Sequence, residues 1–232
     1  MKKPNILFRR NDLNSGEILI YDQIGQDFWF EGVSAKGFIE ELDALGPMNK
    51  LDVRINSPGG SIDEGIAIYN ALNRHKARIV THVDGIAASI ASVIAMAGDE
   101  IQIADNALMM IHPASGGCFG CAEDMEKVAE ILRKDNQRIA EIYATRTGKA
   151  VADWEAAMSE ETWYNAKEAL AAGLATSITP GKSPENTNAA ARFDLSRFHK
   201  VPEALKRESD NWKVAAANRK RQLECASQNN FT

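Results

Sequence analysis

Three short stretches carry the residue types that acyl transfer requires. Ser57-Pro58-Gly59-Gly60-Ser61 comes first, Gly85-Ile86-Ala87-Ala88-Ser89 second, and Met110-Ile111-His112-Pro113 third. A serine preceded by two alanines has open space around its hydroxyl. A histidine near its reference pKa of about 6.5 is able to take the serine proton and return it to a leaving amine. A Gly-Gly pair presents backbone N–H groups that no side chain screens, as an oxyanion hole requires. Each stretch also has a plain reading: Ala-Ala-Ser packs helices tightly, a lone histidine fills a core, and Gly-Gly makes a turn. The combination and its order, donor then nucleophile then base, point to chemistry. Of the four histidines, His75 ends a charged helical run, His82 sits in a strand-like run before Asp84, and His199 lies in the polar C-terminal part. His112, in the third stretch, is the candidate base, at a distance from Ser89 that only folding closes.

At these motifs the chain resembles the proteolytic subunit of the Clp protease family. The resemblance extends to Asn56, Gly116-Gly117 and Ala166-Lys167-Glu168-Ala169 followed by Gly173-Leu174, and spans about residues 16–178. Within the family, Gly16-Glu17-Ile18-Leu19-Ile20-Tyr21-Asp22-Gln23-Ile24-Gly25, then Trp29, then Val33-Ser34-Ala35-Lys36 with Phe38, resembles the phage-encoded branch that serves as a head maturation protease. The resemblance implies an α/β spiral of ββα units, shared with the crotonases, and a long handle helix. It makes Ser89 the nucleophile, His112 the proton carrier, and the Gly59 and Ile90 N–H groups the oxyanion donors. Where the family carries an aspartate before a variable residue and an aromatic, this chain has Glu161 before Thr162-Trp163. Glutamate serves as the third member of other triads, so Glu161 is the expected orienting acid; the alternative is a solvated Glu160-Glu161 pair. Gly60, Gly116 and Gly117 match family segments whose backbone pairs with an extended peptide, a mode that reads the main chain.

The implied activity is that of a serine endopeptidase assembled in homo-oligomeric rings, with no metal or organic cofactor. Its substrates would be peptides or proteins, phage capsid or scaffold proteins among them. The housekeeping branch works with an ATP-driven unfoldase, but the segment before Gly16 lacks that branch's pore-loop pattern. Two rival readings stand beside this one. A crotonase-like acyl-CoA hydratase or isomerase would share the fold and a two-N–H oxyanion hole without needing Ser89 beside His112. An inactive scaffold ring subunit would fit the altered acid and the long tail.

The elements that must position these residues are visible as periodicities. Residues 17–24 alternate, and 51–55 and 78–83 are apolar runs of strand length. Residues 34–45 place Phe38, Leu42 and Leu45 at helical spacing, and 62–75 place Ile66, Tyr69 and Leu72 likewise. Strand then helix then strand predicts a parallel α/β layer. An Ala-rich helix is expected over 87–97, beginning at the nucleophile and setting its positive end beside Ser89. Short strands follow at 100–103 and 107–111, the second delivering His112. Residues 122–146 predict a long amphipathic helix with Met125, Val128, Ile131, Leu132, Ile139 and Ile142 as its apolar stripe, ended at Thr147-Gly148. In the Clp family the matching helix packs two rings together.

The expected organisation is an N-terminal segment over 1–15, a protease domain over 16–178, and a linker with a polar tail over 179–232. Residues 202–207 and 212–223 have helical character. So apolar-poor a tail is expected to be an appendage dispensable for peptide cleavage, used in capsid-related targeting or removed by self-processing.

Composition narrows the function classes. The chain has 232 residues, 44% apolar and 25% charged, as in an ordinary globular protein. Its net charge of −5 argues against nucleic acid as the main ligand. No apolar run is long enough to suggest a membrane span or a signal peptide, so a cytoplasmic location is expected. Cys118, Cys121 and Cys225 are too few for a disulfide framework, and Cys118-Phe119-Gly120-Cys121 alone does not make a zinc site.

Overall fold

The computed structural model describes residues 6–25, 32–180, 193, 195–203 and 205. Its strands are β1 (Ile6–Arg10), β2 (Ser15–Ile20), β3 (Lys50–Ser57), β4 (Arg78–Ala88), β5 (Glu100–Ala104), β6 (Leu108–Ile111), β7 (Thr162–Asn165) and β8 (Ser177–Thr179). The helices are α1 (Ala35–Ala44), α2 (Ile62–Arg74), α3 (Ile90–Ala95), α4 (Ala122–Thr147), α5 (Val151–Ser159) and α6 (Ala166–Ala172). The sheet runs β1-β2-β3-β4-β5-β8, with β6 attached to β4 and β7 to β6. Pairing is parallel except between β1 and β2 and between β6 and β7.

Period-two alternation explains the layering. Ile18 and Ile20 of β2 and Leu51, Val53 and Ile55 of β3 are fully buried, in one cluster with Phe38 and Leu42 of α1 and Ile68 and Leu72 of α2. In β3 the intervening residues are polar and pair with β4: His82 Nε2 lies 2.7 Å from Asp52 Oδ1, and Arg54 Nε donates to Asp84 Oδ2 at 2.8 Å. Ser34 caps α1 by accepting from the Gly37 N–H at 3.2 Å, the role a serine plays ahead of an apolar periodic run.

The spiral arises at β4, which is long enough to serve two neighbours on the same side. Val80 to Val83 pair with β5, whereas Ile86 to Ala88 pair with β6. At the changeover the register against β3 shifts between Ile55 and Ser57, and the buried Asn56 side chain accepts the Ile86 N–H at 3.2 Å. A buried N–H stranded by a register shift needs such a partner.

The helix expected over 87–97 is shorter than its alanines suggest. Ala87 and Ala88 continue β4, paired with Met109 and Met110, and the Ser89 N–H donates to the Met110 carbonyl at 2.8 Å. Strand pairing therefore holds the chain up to the serine, and helix begins only at Ile90. The long helix appears as read, closed by Gly148 in the left-handed conformation (φ 72°). In α4 only Ile139, Ala140 and Tyr143 are buried, while Met125 and Ile131 are more than half exposed. The N-terminal half of α4 thus does not cover its own domain.

Beyond Thr179, part of the tail returns to the sheet. Leu195, Phe198 and Val201 are buried against Ile86, Ala88 and Met110, with Trp163, Phe193 and Leu205 at the margin. This second apolar cluster lies under the last residues of β4 and β6. The sequence reading of an appendage does not include it: Leu195, Phe198, Val201 and Leu205 recur every three or four positions, but the charged residues around them mask so short a stripe. Trp29 and residues 212–223 lie outside the described residues.

Candidate active site

Three parallel strands finish together, and the motif residues follow their ends. Ser57 of β3 is level with Ala87 of β4, and Ala88 is level with Met110 of β6. One or two residues further on come Gly59, Ser89 and His112. The crevice beyond the carboxyl ends of parallel strands is where such sheets place their chemistry. β7 runs antiparallel to β6 with Ile111 opposite Thr162, so extending the register by one step sets Glu161 opposite His112.

His112 Nε2 lies 2.8 Å from Ser89 Oγ. Burial depresses the His112 pKa below its ordinary value; the Glu161 carboxylate raises it, Arg197 and His199 lower it, and the net direction is down. That direction favours the neutral ring, and its Nε2 faces the Ser89 hydroxyl.

Ser89 sits at φ 58° and ψ −132°, a conformation side-chain-bearing residues avoid. What holds it there is a buried network. Ser92 Oγ donates to the Ser89 carbonyl at 2.6 Å and lies 2.8 Å from Tyr143 Oη of α4. Ser92 is fully buried and Tyr143 nearly so. The sharp turn aims the hydroxyl out of the strand end, toward His112.

Gly59 (φ +87°) is wedged against this turn. A Cβ there would come within 2.6 Å of the Ala88 carbonyl oxygen and 2.7 Å of Ser89 Cβ, and 3.2 Å from the Ile90 nitrogen. The Gly59 and Ile90 N–H groups thus belong to one small neighbourhood beside Ser89. The Gly59 N–H makes a long contact to Ser57 Oγ at 3.2 Å, and the Ile90 N–H opens α3, where helical N–H groups have no intrahelical acceptor.

Gly60 forms a parallel bridge with Ile24, whose carbonyl oxygen occupies the space a Cβ would need. It also borders a small recess next to Ser89 and His112, walled by Ile62, Val93 and Ile139. Gly116 and Gly117 are exposed in the extended stretch after His112, where Asn136 Oδ1 of α4 accepts the Ala114 N–H at 2.6 Å.

Glu161 is buried and has a positive φ of 50°. Its carboxylate accepts the His199 N–H at 2.7 Å, the Lys200 N–H at 2.5 Å and Trp163 Nε1–H at 3.3 Å. Among the described residues no hydrogen bond joins Glu161 to His112, so the orienting bond expected from the sequence is not formed here. Burial pushes the carboxyl up, but the donors from His199, Lys200 and Trp163, together with the charge at His112, outweigh it and hold it below the usual range. The acid is ionised, near the imidazole, and bonded to the tail.

Cys121 and His75 have local roles, and Cys225 lies outside the described residues. Cys121 caps α4, its backbone N–H and Sγ both approaching Asp124 Oδ2, and among the described residues no cluster is suited to a metal. His75 Nδ1 accepts the Ala77 N–H at 3.1 Å.

Sequence reading did not single out Ser92, Tyr143, Arg197 or Phe198. Arg197 donates to the Pro58 carbonyl, in the turn before Gly59. The Phe198 ring meets the His112 ring edge-on, with centroids 5.2 Å apart. A serine one helical turn after the nucleophile, and a tyrosine inside an apolar stripe, are signals that exist but name no partner.

Two comparisons with known proteins bear on this arrangement. The family model described as Clp protease matches residues 10–182. Among solved structures, a mutant of ClpP1 from Listeria monocytogenes aligns with a TM-score of 0.62 at 22% identity, covering 74% of this chain and 94% of that one. At that identity the likeness speaks for the fold. Among the described residues no helix is long and apolar enough to cross a membrane.

Proposed function

Because the chain belongs to the Clp protease family, we propose that it hydrolyses peptide bonds as a serine endopeptidase, with Ser89 as nucleophile and His112 as general base and acid. The observation that carries this reading is the 2.8 Å approach of His112 Nε2 to Ser89 Oγ at the ends of adjacent strands. Ser89 Oγ attacks the scissile carbonyl carbon while its proton moves to His112 Nε2. The carbonyl oxygen becomes an oxyanion held by the N–H groups of Gly59 and Ile90, and the imidazolium then protonates the departing amine. Water, deprotonated by the same imidazole, releases the acyl group from Ser89.

Glu161 supports the imidazolium through its charge. An extended substrate pairs its main chain with the stretch containing Gly116 and Gly117, and the Gly60 side of the cleft faces it. The recess of Ile62, Val93 and Ile139 favours an apolar side chain next to the scissile bond.

The same reading assigns the exposed half of α4 to contacts between copies of this chain, consistent with homo-oligomeric rings. We place the protein in the head maturation branch, acting on phage capsid or scaffold proteins in the cytoplasm, with no cofactor. The test is hydrolysis of a small peptide and of co-expressed capsid protein by the wild type and by Ser89→Ala. Loss of both cleavages in a folded Ser89→Ala protein is expected; retention of either would contradict the reading.

A further inference from the structure

The segment 195–203 crosses directly beneath the catalytic pair, beyond residue 182 where the family match ends. Its contacts converge on the residues that matter. Phe198 lies edge-on to His112 (5.2 Å between centroids) and edge-on to Trp163 (6.0 Å), with the Arg197 guanidinium 4.8 Å above its ring. Phe198 is 6% exposed, so little of its apolar surface remains in water. Arg197 reaches the Pro58 carbonyl, and the His199 and Lys200 N–H groups close on Glu161. Lys200 Nζ adds an ion pair to Glu161's neighbour, Glu160 Oε2, at 2.6 Å.

A general base needs its ring held in one orientation, and an acid bonded to Nδ1 usually does this. Here the acid is bonded to the tail backbone, and the ring contacts of His112 are the Ser89 hydroxyl on one side and Phe198 on the other. We propose that Phe198 is a positioning residue for His112, and that Glu161 acts chiefly as the anchor that straps segment 195–203 under the site. The inference rests on the serine-peptidase reading and assigns this stretch of the tail to the catalytic domain. It follows that the tail is not dispensable up to about Val201.

The strap also sets the surroundings of the base. It covers part of the half-buried imidazole and brings Arg197 and His199 toward it, opposite in effect to Glu161; these are the charged groups acting on His112. Taking the Phe198 ring away would let more water reach the imidazole and move its titration back toward the ordinary value.

The experiment compares full-length wild type, Phe198→Ala and Phe198→Tyr, with thermal melts to establish folding. For a small peptide, Phe198→Ala should lower kcat about five- to tenfold with KM little changed, a loss of the size an edge-to-face aromatic pair contributes. The acid limb of its pH–rate profile should move to higher pH, which a loss of bulk stability would not cause. Phe198→Tyr, which keeps the ring, should restore both. The anchor is tested separately by trypsin on the Ser89→Ala background. There Glu161→Gln should speed cleavage after Arg197 or Lys200 several-fold, and that measurement stands even where Phe198→Ala does not fold. A folded Phe198→Ala protein with wild-type kcat and acid limb, or with raised kcat, overturns the positioning role. Unchanged trypsin susceptibility in Glu161→Gln overturns the anchor. A wild type that neither cleaves peptides nor reacts at Ser89 overturns the peptidase reading together with this one, whereas an active wild type beside an unaffected Phe198→Ala removes this one alone.

Discussion

Glu161 and His112 stand opposite each other in the continued register of β7 and β6, yet both oxygens of the Glu161 carboxylate are bonded to donors other than the imidazole. Register therefore delivers the acid to the neighbourhood and the tail decides what it touches. The acid contributes to His112 by charge across space, where a directly bonded acid would also fix the tautomer.

The pH dependence of cleavage follows from the surroundings of His112. Its pKa is depressed, first by burial and then by Arg197 and His199, with Glu161 opposing. The base works only when neutral, so activity should be full above that pKa and fall as pH drops through it. The acid limb of kcat/KM should therefore lie below the ordinary histidine value of about 6.5. Profiles measured over pH 4 to 8, on the order of the range a histidine and its shift span, would show it. A limb above the ordinary value would mean that the Glu161 charge dominates instead.

Gly59 tests the oxyanion neighbourhood. A methyl group there would clash with the Ala88 carbonyl oxygen and Ser89 Cβ at a positive φ, so the turn must shift. Gly59→Ala should reduce kcat on the order of 100-fold or more, the scale of losing one oxyanion donor, and destabilise the fold by about 1–3 kcal/mol. Peptide turnover and thermal melts separate the two effects.

The Ser92–Tyr143 pair should matter through the backbone of Ser89. Tyr143→Phe leaves the aromatic ring in place and removes one hydrogen bond from a buried hydroxyl, costing about 1–2 kcal/mol of stability. Ser92→Ala removes the hydroxyl donor to the Ser89 carbonyl, leaving the Ser92 N–H at 3.0 Å, and should lower kcat more than it raises KM. Equal kcat in wild type and Ser92→Ala would show that the backbone bonds of Ser89, to Met110 and to the Ser92 N–H, hold the strained serine without the hydroxyl.

Met125 and Ile131 are exposed on α4, and burying two such side chains between copies is worth several kcal/mol. Met125→Glu with Ile131→Glu should shift sedimentation velocity toward smaller species. A wild type that remains monomeric at micromolar concentration while cleaving peptides would remove the interface.

Much of the architecture was legible because its residues obey simple periods. Leu51, Val53 and Ile55 alternate, and the apolar residues of α4 recur every three or four positions. Ser89, His112 and Gly59 were legible as types in an order, although their meeting depends on three strand ends that only the fold brings level. Ala87 and Ala88 misled because alanine favours helix, and pairing with Met109 and Met110 overrides that preference. Phe198 could not be read at all. Its partner lies 86 positions earlier, counting 198 − 112, and spacing within the tail says nothing about a contact made that far away.

The most direct test of the central claim is reaction with a fluorophosphonate, followed by peptide mapping of the labelled site. The activated hydroxyl predicts stoichiometric label on Ser89 in the wild type, none in Ser89→Ala, and labelling slowed by orders of magnitude in His112→Ala. A folded wild type that cleaves peptides yet carries no label on Ser89, or a Ser89→Ala protein that labels as fast as wild type, would contradict it.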